Sequence, residues 1–96
     1  MESIYFEWDP YKAALNRRKH GVAFEEARDS FCDPFGDRFW DADHSDLEER
    51  FLWLGRSSMG RILLVVHCFR ESESVLRIIS ARKATAKEQT FYRGTP

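Results

Sequence analysis

Ninety-six residues with 43% hydrophobic and 15% aromatic content are enough to bury one modest core, and this composition excludes a disordered chain. Fifteen Lys and Arg stand against sixteen Asp and Glu, a formal net charge of −1, which excludes a protein that coats nucleic acid through bulk positive charge. The charges are segregated instead: residues 29–49 are acid-rich and residues 77–93 base-rich, which suits a local anion site beside an acidic surface.

One domain spanning residues 1–96 is expected. No segment approaches the roughly 18–20 apolar residues of a membrane span. The start, Met1-Glu2-Ser3-Ile4, has neither the basic nor the apolar region of a signal peptide, so a cytoplasmic protein with no membrane partner is expected. Cys32 and Cys68 are far apart and read as free thiols, Cys68 in the core. Without CxxC or HExxH spacing, no metal and no cofactor is expected.

Ile4 to Trp8 reads as a short strand. Asp9 is an N-cap and Pro10 a first helical residue, so a helix is predicted to about His20, where Gly21 stops it. Ala14, Leu15 and Tyr11 are assigned to its inner side. Phe24 to Phe31 suits a second helix with Phe24, Ala27 and Phe31 inward, broken by Asp33-Pro34. Four strands follow, at Phe35–Asp41, Arg50–Gly55, Arg61–Phe69 and Val75–Lys83. The third, a near-continuous apolar run, is the central candidate. Arg56–Gly60 and Arg70–Ser74 suit hairpin loops. Ala84 to Tyr92 carries good helix formers. The order β-α-α-β-β-β-β-α implies an α+β fold: an antiparallel sheet with helices against it.

The last strand carries the strongest chemical signal. Arg77, Arg82 and Lys83 occupy a stretch that otherwise reads as core. Alternation places Arg77 with Ile79, Ala81 and Lys83 on one face, and Arg82 with Leu76, Ile78 and Ser80 on the other. Arg77 and Arg82 then reach one phosphate path only if the strand twists or bulges. A phosphate there would also meet the following helix N-terminus. If the hairpin aligns Val66–Cys68 with the start of the last strand, His67 lies beside Arg77. An imidazole and a guanidinium are what 2′-hydroxyl attack on an RNA phosphate needs, a proton acceptor and a cation. His67 also reads as a satisfied core histidine. Lys19 and His20 end the first helix, where cations complement its dipole without any function. Arg50 and Arg61 flank strands near hairpins. His44, among Asp41, Asp43 and Asp46, reads as part of a solvated loop.

The segments Phe6-Glu7-Trp8-Asp9, Arg18-Lys19-His20-Gly21-Val22, Phe24-Glu25-Glu26-Ala27, Asp33-Pro34, Asp43-His44-Ser45, Glu48-Glu49-Arg50-Phe51, Gly60-Arg61 and Arg77 to Thr85 occur in that order. The chain thereby resembles the BrnT family of bacterial toxins over nearly its whole length. That resemblance implies a RelE-like fold, with two helices early and one late, and a metal-independent endoribonuclease that blocks translation by cutting RNA. It implies a BrnA-like ribbon-helix-helix antitoxin as partner, with operator DNA bound only through the toxin–antitoxin complex. Carried onto this sequence, it matches Lys19, His20, Arg50, Arg61, Arg77, Ser80, Arg82 and Lys83; with His67 from the strand pairing, the catalytic candidates are Lys19, His20, His67 and Arg77, and the RNA- or phosphate-binding candidates Arg50, Arg61, Arg82 and Lys83. RelE-like nucleases often use Arg, Lys and Tyr, which adds Tyr92. The alternative is a non-catalytic binding module that acts only through a DNA-binding partner.

Overall fold

The structure, a computed structural model, describes residues 4–94. The order is β1 (Tyr5–Glu7), α1 (Pro10–His20), α2 (Phe24–Ser30), β2 (Asp37–Trp40), a 3-10 turn at Ala42–His44, β3 (Phe51–Arg56), β4 (Ile62–Arg70), β5 (Val75–Lys83) and α3 (Ala86–Gln89). The element order expected from the sequence is therefore present. The final helix is four residues long, shorter than expected. The strands form one sheet in the order β1-β5-β4-β3-β2, with the most apolar strand, β4, at its centre. Strands β2 to β5 are antiparallel, while β1 joins β5 in parallel. Hence the sheet is mixed at one edge rather than antiparallel throughout.

The first helix begins and ends as its sequence dictates. Asp9 accepts a hydrogen bond from Tyr11 N at 2.9 Å, and Gly21 takes the left-handed conformation (φ 70°) that closes the last turn. Its inner side is not the one expected. Ala14, Leu15 and Tyr11 are exposed, and Asn16 is buried with Ala13 half-buried beside it. The reason is polar. Asn16 Nδ2 donates to Val22 O (3.0 Å) and Ala81 O (2.8 Å), and its Oδ1 accepts from Ala81 N (3.0 Å). Three bonds from one amide clamp α1 to β5, and a satisfied buried amide outweighs the pull of Leu15 inward.

The two early helices cover one face of the sheet. Val22, Phe24 and Ala27 pack there against Leu63, Val65, Leu76, Ile78 and Ala81. The opposite face carries a smaller cluster, Leu54, Ile62 and Leu64 under Ala84 and Tyr92. Most of that face lies open between the α3 segment and the 41–50 loop.

A bulge in β5 decides which residues reach the open face. Val66 pairs with Ser80 but His67 pairs with Ile78, so Ile79 is an extra residue. Below the bulge Leu76 and Ile78 enter the helix-covered core, and above it Ala81 does. The alternation therefore changes phase, as an odd insertion requires. Arg77, opposite Cys68, and Arg82, opposite Leu64, consequently stand on the same face, which an ideal strand would not allow.

Candidate active site

The open face holds a cleft of about 370 Å³ whose polar lining includes Asp41, His44, Arg50, Ser80, Arg82 and Glu88, over a floor of Leu52, Leu64, Val66 and Ile79. Three pieces of chain build it. The first is the 41–50 loop, which is pinned shut. Asp41 N donates to Arg50 O at 2.9 Å, Ser45 Oγ donates to Asp41 O at 2.6 Å, and Arg50 N donates to Ser45 Oγ at 3.0 Å. Ser45 thus ties both ends of the loop together and carries His44 and Arg50 to the same side. His44 Nδ1 lies 3.0 and 3.2 Å from the two oxygens of Asp41, a nearly buried carboxylate. A carboxylate only accepts, so the shared proton sits on Nδ1 and Nε2 is the nitrogen left for exchange.

The second and third pieces are β5 and α3. Arg82 forms a two-pronged pair with Glu88, each bond 2.8 Å. Glu88 also closes the capping box of α3: its Oε1 accepts from Thr85 N (2.9 Å) and its own N–H donates to Thr85 Oγ1 (3.1 Å). The hydrogen bonds from Arg82 hold the Glu88 carboxyl down at about 2, and the same pair raises Arg82 above its ordinary value. Glu88 is thus an orienting anion and a poor base. Among the described residues no bond engages Arg82 Nε, so that edge of the guanidinium remains open to an oxyanion.

Arg50 and Arg82 are the two predicted site residues that this cleft brings together. The others lie elsewhere. His67 does not stand beside Arg77. The bulge sets it opposite Ile78 on the helix-covered face, where it is 0% exposed. Its Nδ1 donates to Val65 O (3.1 Å), its Nε2 accepts from Arg38 Nε (2.9 Å), and burial lowers it to about 4. Both nitrogens are occupied and the ring is neutral, so the core-histidine reading holds at this position. Arg77 lies at the far end of β5, roughly 15 Å along the strand from Arg82 at ~3.3 Å per residue, and bonds Glu7 at 2.7 Å.

Arg61 pairs with Glu26 through two bonds, one of 2.9 Å from Nε, and donates to Gly21 O at 3.0 Å. Lys19 and His20 end α1 in the helical layer, and Lys83, opposite Leu63, has the parity of the helix-covered face. Tyr92 is buried under the open-face cluster, its hydroxyl on Asp33. Sequence reasoning missed His44 as a site residue, and with it Glu88. The one available signal was Ser45 close behind Asp41-Ala42-Asp43-His44, a residue able to close such a loop. Among the described residues no group of three or more His, Cys, Asp or Glu is placed to hold a metal. No helix among them is long and apolar enough to cross a membrane.

The family model for "Ribonuclease toxin, BrnT, of type II toxin-antitoxin system" matches residues 8–88, from the strand–helix junction through β5 to the residue that orients Arg82. The chain belongs to the BrnT family. It is accordingly a ribonuclease toxin of a type II toxin–antitoxin system, a family with an RNA target and a cognate antitoxin. A crystal structure described as the Brucella abortus ribonuclease toxin, BrnT, has the same fold at a TM-score of 0.62 and 24% identity, over 88% of this chain and 99% of that one. No curated protein matches the chain. In this BrnT-family fold both site arginines, Arg50 and Arg82, fall within the matched residues.

Proposed function

We propose that this chain cuts single-stranded RNA in the open-face cleft, with Arg82 and Arg50 meeting the phosphate charge and His44 taking the proton of the attacking 2′-hydroxyl. One observation carries the reading: Arg50 and an Asp-held imidazole from the 41–50 loop meet Arg82 of β5 on the sheet face that the early helices leave uncovered. The 2′-oxygen forms a bond to phosphorus as the bond to the 5′-oxygen breaks. His44 Nε2 accepts the 2′-proton, and the leaving 5′-oxygen takes one from solvent, which the open cleft admits. Arg82, held in place by Glu88, stabilises the extra charge on the phosphoryl oxygens. Arg82 is then the cation at the scissile phosphate, and Arg77, a catalytic candidate from the sequence, has no part in the cleft. RNA supplies the nucleophile and the arginines the positive charge, so this chemistry calls for no metal.

The proposal extends to the partner. The family's antitoxin would here be a BrnA-like ribbon-helix-helix protein that covers the cleft and supplies operator binding. Phe39, 40% exposed and opposite Leu52 on the open face, offers it apolar contact.

Purified protein incubated with a single-stranded RNA in chelator tests the reading. Arg82→Ala and His44→Ala should each lose cleavage on the order of 100-fold or more, by analogy with loss of one transition-state donor, with unchanged circular dichroism. Full activity of both folded variants would remove the cleft from consideration. Expression without the antitoxin should arrest growth and fragment cellular RNA, and intact RNA in arrested cells would contradict the mechanism.

A further inference from the structure

A second cleft opens beside the first. It has a volume of about 240 Å³ and is lined by Phe39, Leu52, Leu54, Leu64, Phe91 and Glu88. Leu52, Leu64 and Glu88 line both clefts, so the two are one continuous trough, apolar at one end and charged at the other, where Arg50, Arg82 and His44 stand among Asp41, Asp43 and Glu88. Phe39 comes from β2, where it pairs with Leu52 on the open face. Phe91 follows α3, its N–H donating to Glu88 O at 3.0 Å. Two aromatic rings from distant elements therefore border a slot next to the phosphate-binding arginine. They are 40 and 60% exposed, so hydrophobic burial within this chain does not account for them.

We propose that this apolar end is a base subsite: an unpaired nucleobase adjoining the scissile phosphate stacks against Phe39 and Phe91 while Arg82 holds the phosphate. The inference rests on the cleavage site proposed above. Three observations select this occupant. The slot is smaller than the 300–1,000 Å³ of pockets that take drug-sized ligands, which matches one flat ring system rather than the extended groove that a helix would need. Its walls are apolar and aromatic, the lining that stacks bases in single-strand-binding proteins. Its charged end is the Arg82–Glu88 pair, reached through Glu88, so a base in the slot is joined to a phosphate at Arg82, a link that an isolated hydrophobic side chain lacks.

The one polar group in the lining is Glu88, already engaged by Arg82 and Thr85. Stacking without hydrogen-bond readout gives a site that tolerates every base and rejects a paired one. The toxin should therefore cut unpaired RNA with a broad sequence range, favouring purines through their larger stacking surface.

The test uses the purified full chain and a mixed-sequence 20-nucleotide RNA, single-stranded or annealed to its complement, with cut positions mapped. The single strand should be cut and the duplex resist. Phe39→Ala and Phe91→Ala should each lower kcat/KM by about 5- to 100-fold, the range that stacking of one base provides, and Phe39→Tyr, which keeps an aromatic ring, should lose less than Phe39→Ala. An RNA carrying one abasic nucleotide beside the mapped cut should be a poor substrate for the wild type. On that RNA the Phe variants should lose little more.

If both Ala variants cut all RNAs like the wild type while Arg82→Ala is inactive, the base subsite is refuted and the cleavage site stands. If Arg82→Ala and His44→Ala remain active, the cleavage site fails and the base subsite falls with it. If the Ala variants keep wild-type cleavage but escape antitoxin inhibition, the trough belongs to the antitoxin and the proposal is overturned. Thermal melts of each variant exclude unfolding as the cause.

Discussion

The two faces of this sheet each carry a histidine and arginines, and they use them in opposite ways. On the helix-covered face His67 is fully buried, both ring nitrogens are bonded, and Arg38 lies between the rings of Trp53 and Phe69 (5.4 and 5.1 Å) with its Nε on the imidazole. Arg61 on the same side is locked onto Glu26. On the open face His44 is held at one nitrogen only, and Arg82 is oriented by Glu88 with its Nε edge open. Residue type is the same on both sides, but solvent access and spare hydrogen-bonding capacity differ. Catalysis needs a proton acceptor that reaches its substrate and a cation with donors to spare, and only the open face supplies both.

The contrast makes its sharpest prediction for the two histidines. His44→Ala should reduce RNA cleavage on the order of 100-fold with an unchanged melting curve. His67→Phe keeps an aromatic ring among Phe31, Phe51 and Phe69 and should cleave at close to the wild-type rate. Reversed results in paired cleavage assays would exchange the roles of the two faces.

A stability effect should mark the helix-covered face. Arg61→Ala strands the Glu26 carboxylate, 6% exposed, and should destabilise the fold by up to about 3 kcal/mol. Cleavage by the folded fraction should be unaltered. Urea titration monitored through tryptophan fluorescence measures the first, and single-turnover cleavage the second.

His67 also gives stability a pH dependence. Its ordinary value of 6.5 falls to about 4 in the fold, so the unfolded chain binds more protons between those limits. Stability should therefore drop as pH falls from 6.5 to 4, by on the order of 3 kcal/mol, and this contribution should level off below 4. The Glu88 carboxyl, held at about 2 from 4.5, adds a loss in the same direction between those values. The loss between pH 6.5 and 4 should be much smaller in His67→Phe. An equal slope in both proteins, by chemical denaturation across that range, would assign the titration to another group.

The smallest expected effect is that of Arg77→Ala. Its guanidinium is engaged by Glu7 and stands apart from the cleft, and a half-exposed pair of this kind is worth about 1 kcal/mol or less. Cleavage should change by no more than a few-fold. A loss as large as that of Arg82→Ala would move the scissile phosphate to the other end of β5.

Local chemistry made much of the fold legible in the sequence. Asp9-Pro10 and Gly21 bound α1 because capping and left-handed backbone are properties of those residues alone. The apolar run in β4 announces the central strand, since its residues serve both the helix-covered core, through Leu63 and Val65, and the apolar floor of the opposite face, through Leu64 and Val66. Ordered segments from Phe6 to Thr85 suffice to point to the family. Three matters waited for the tertiary structure. Asn16 displaced Leu15 from the inner side of α1 because its partner, Ala81, is remote in sequence. The bulge at Ile79 put Arg77 and Arg82 on one face and sent His67 into the core, since register depends on which residues two strands bring opposite each other. His44 became part of a cleft because Ser45 closes the 41–50 loop over β4 and β5. The sequence carries the inventory of cations and imidazoles; which of them face water together is settled by pairing between distant strands.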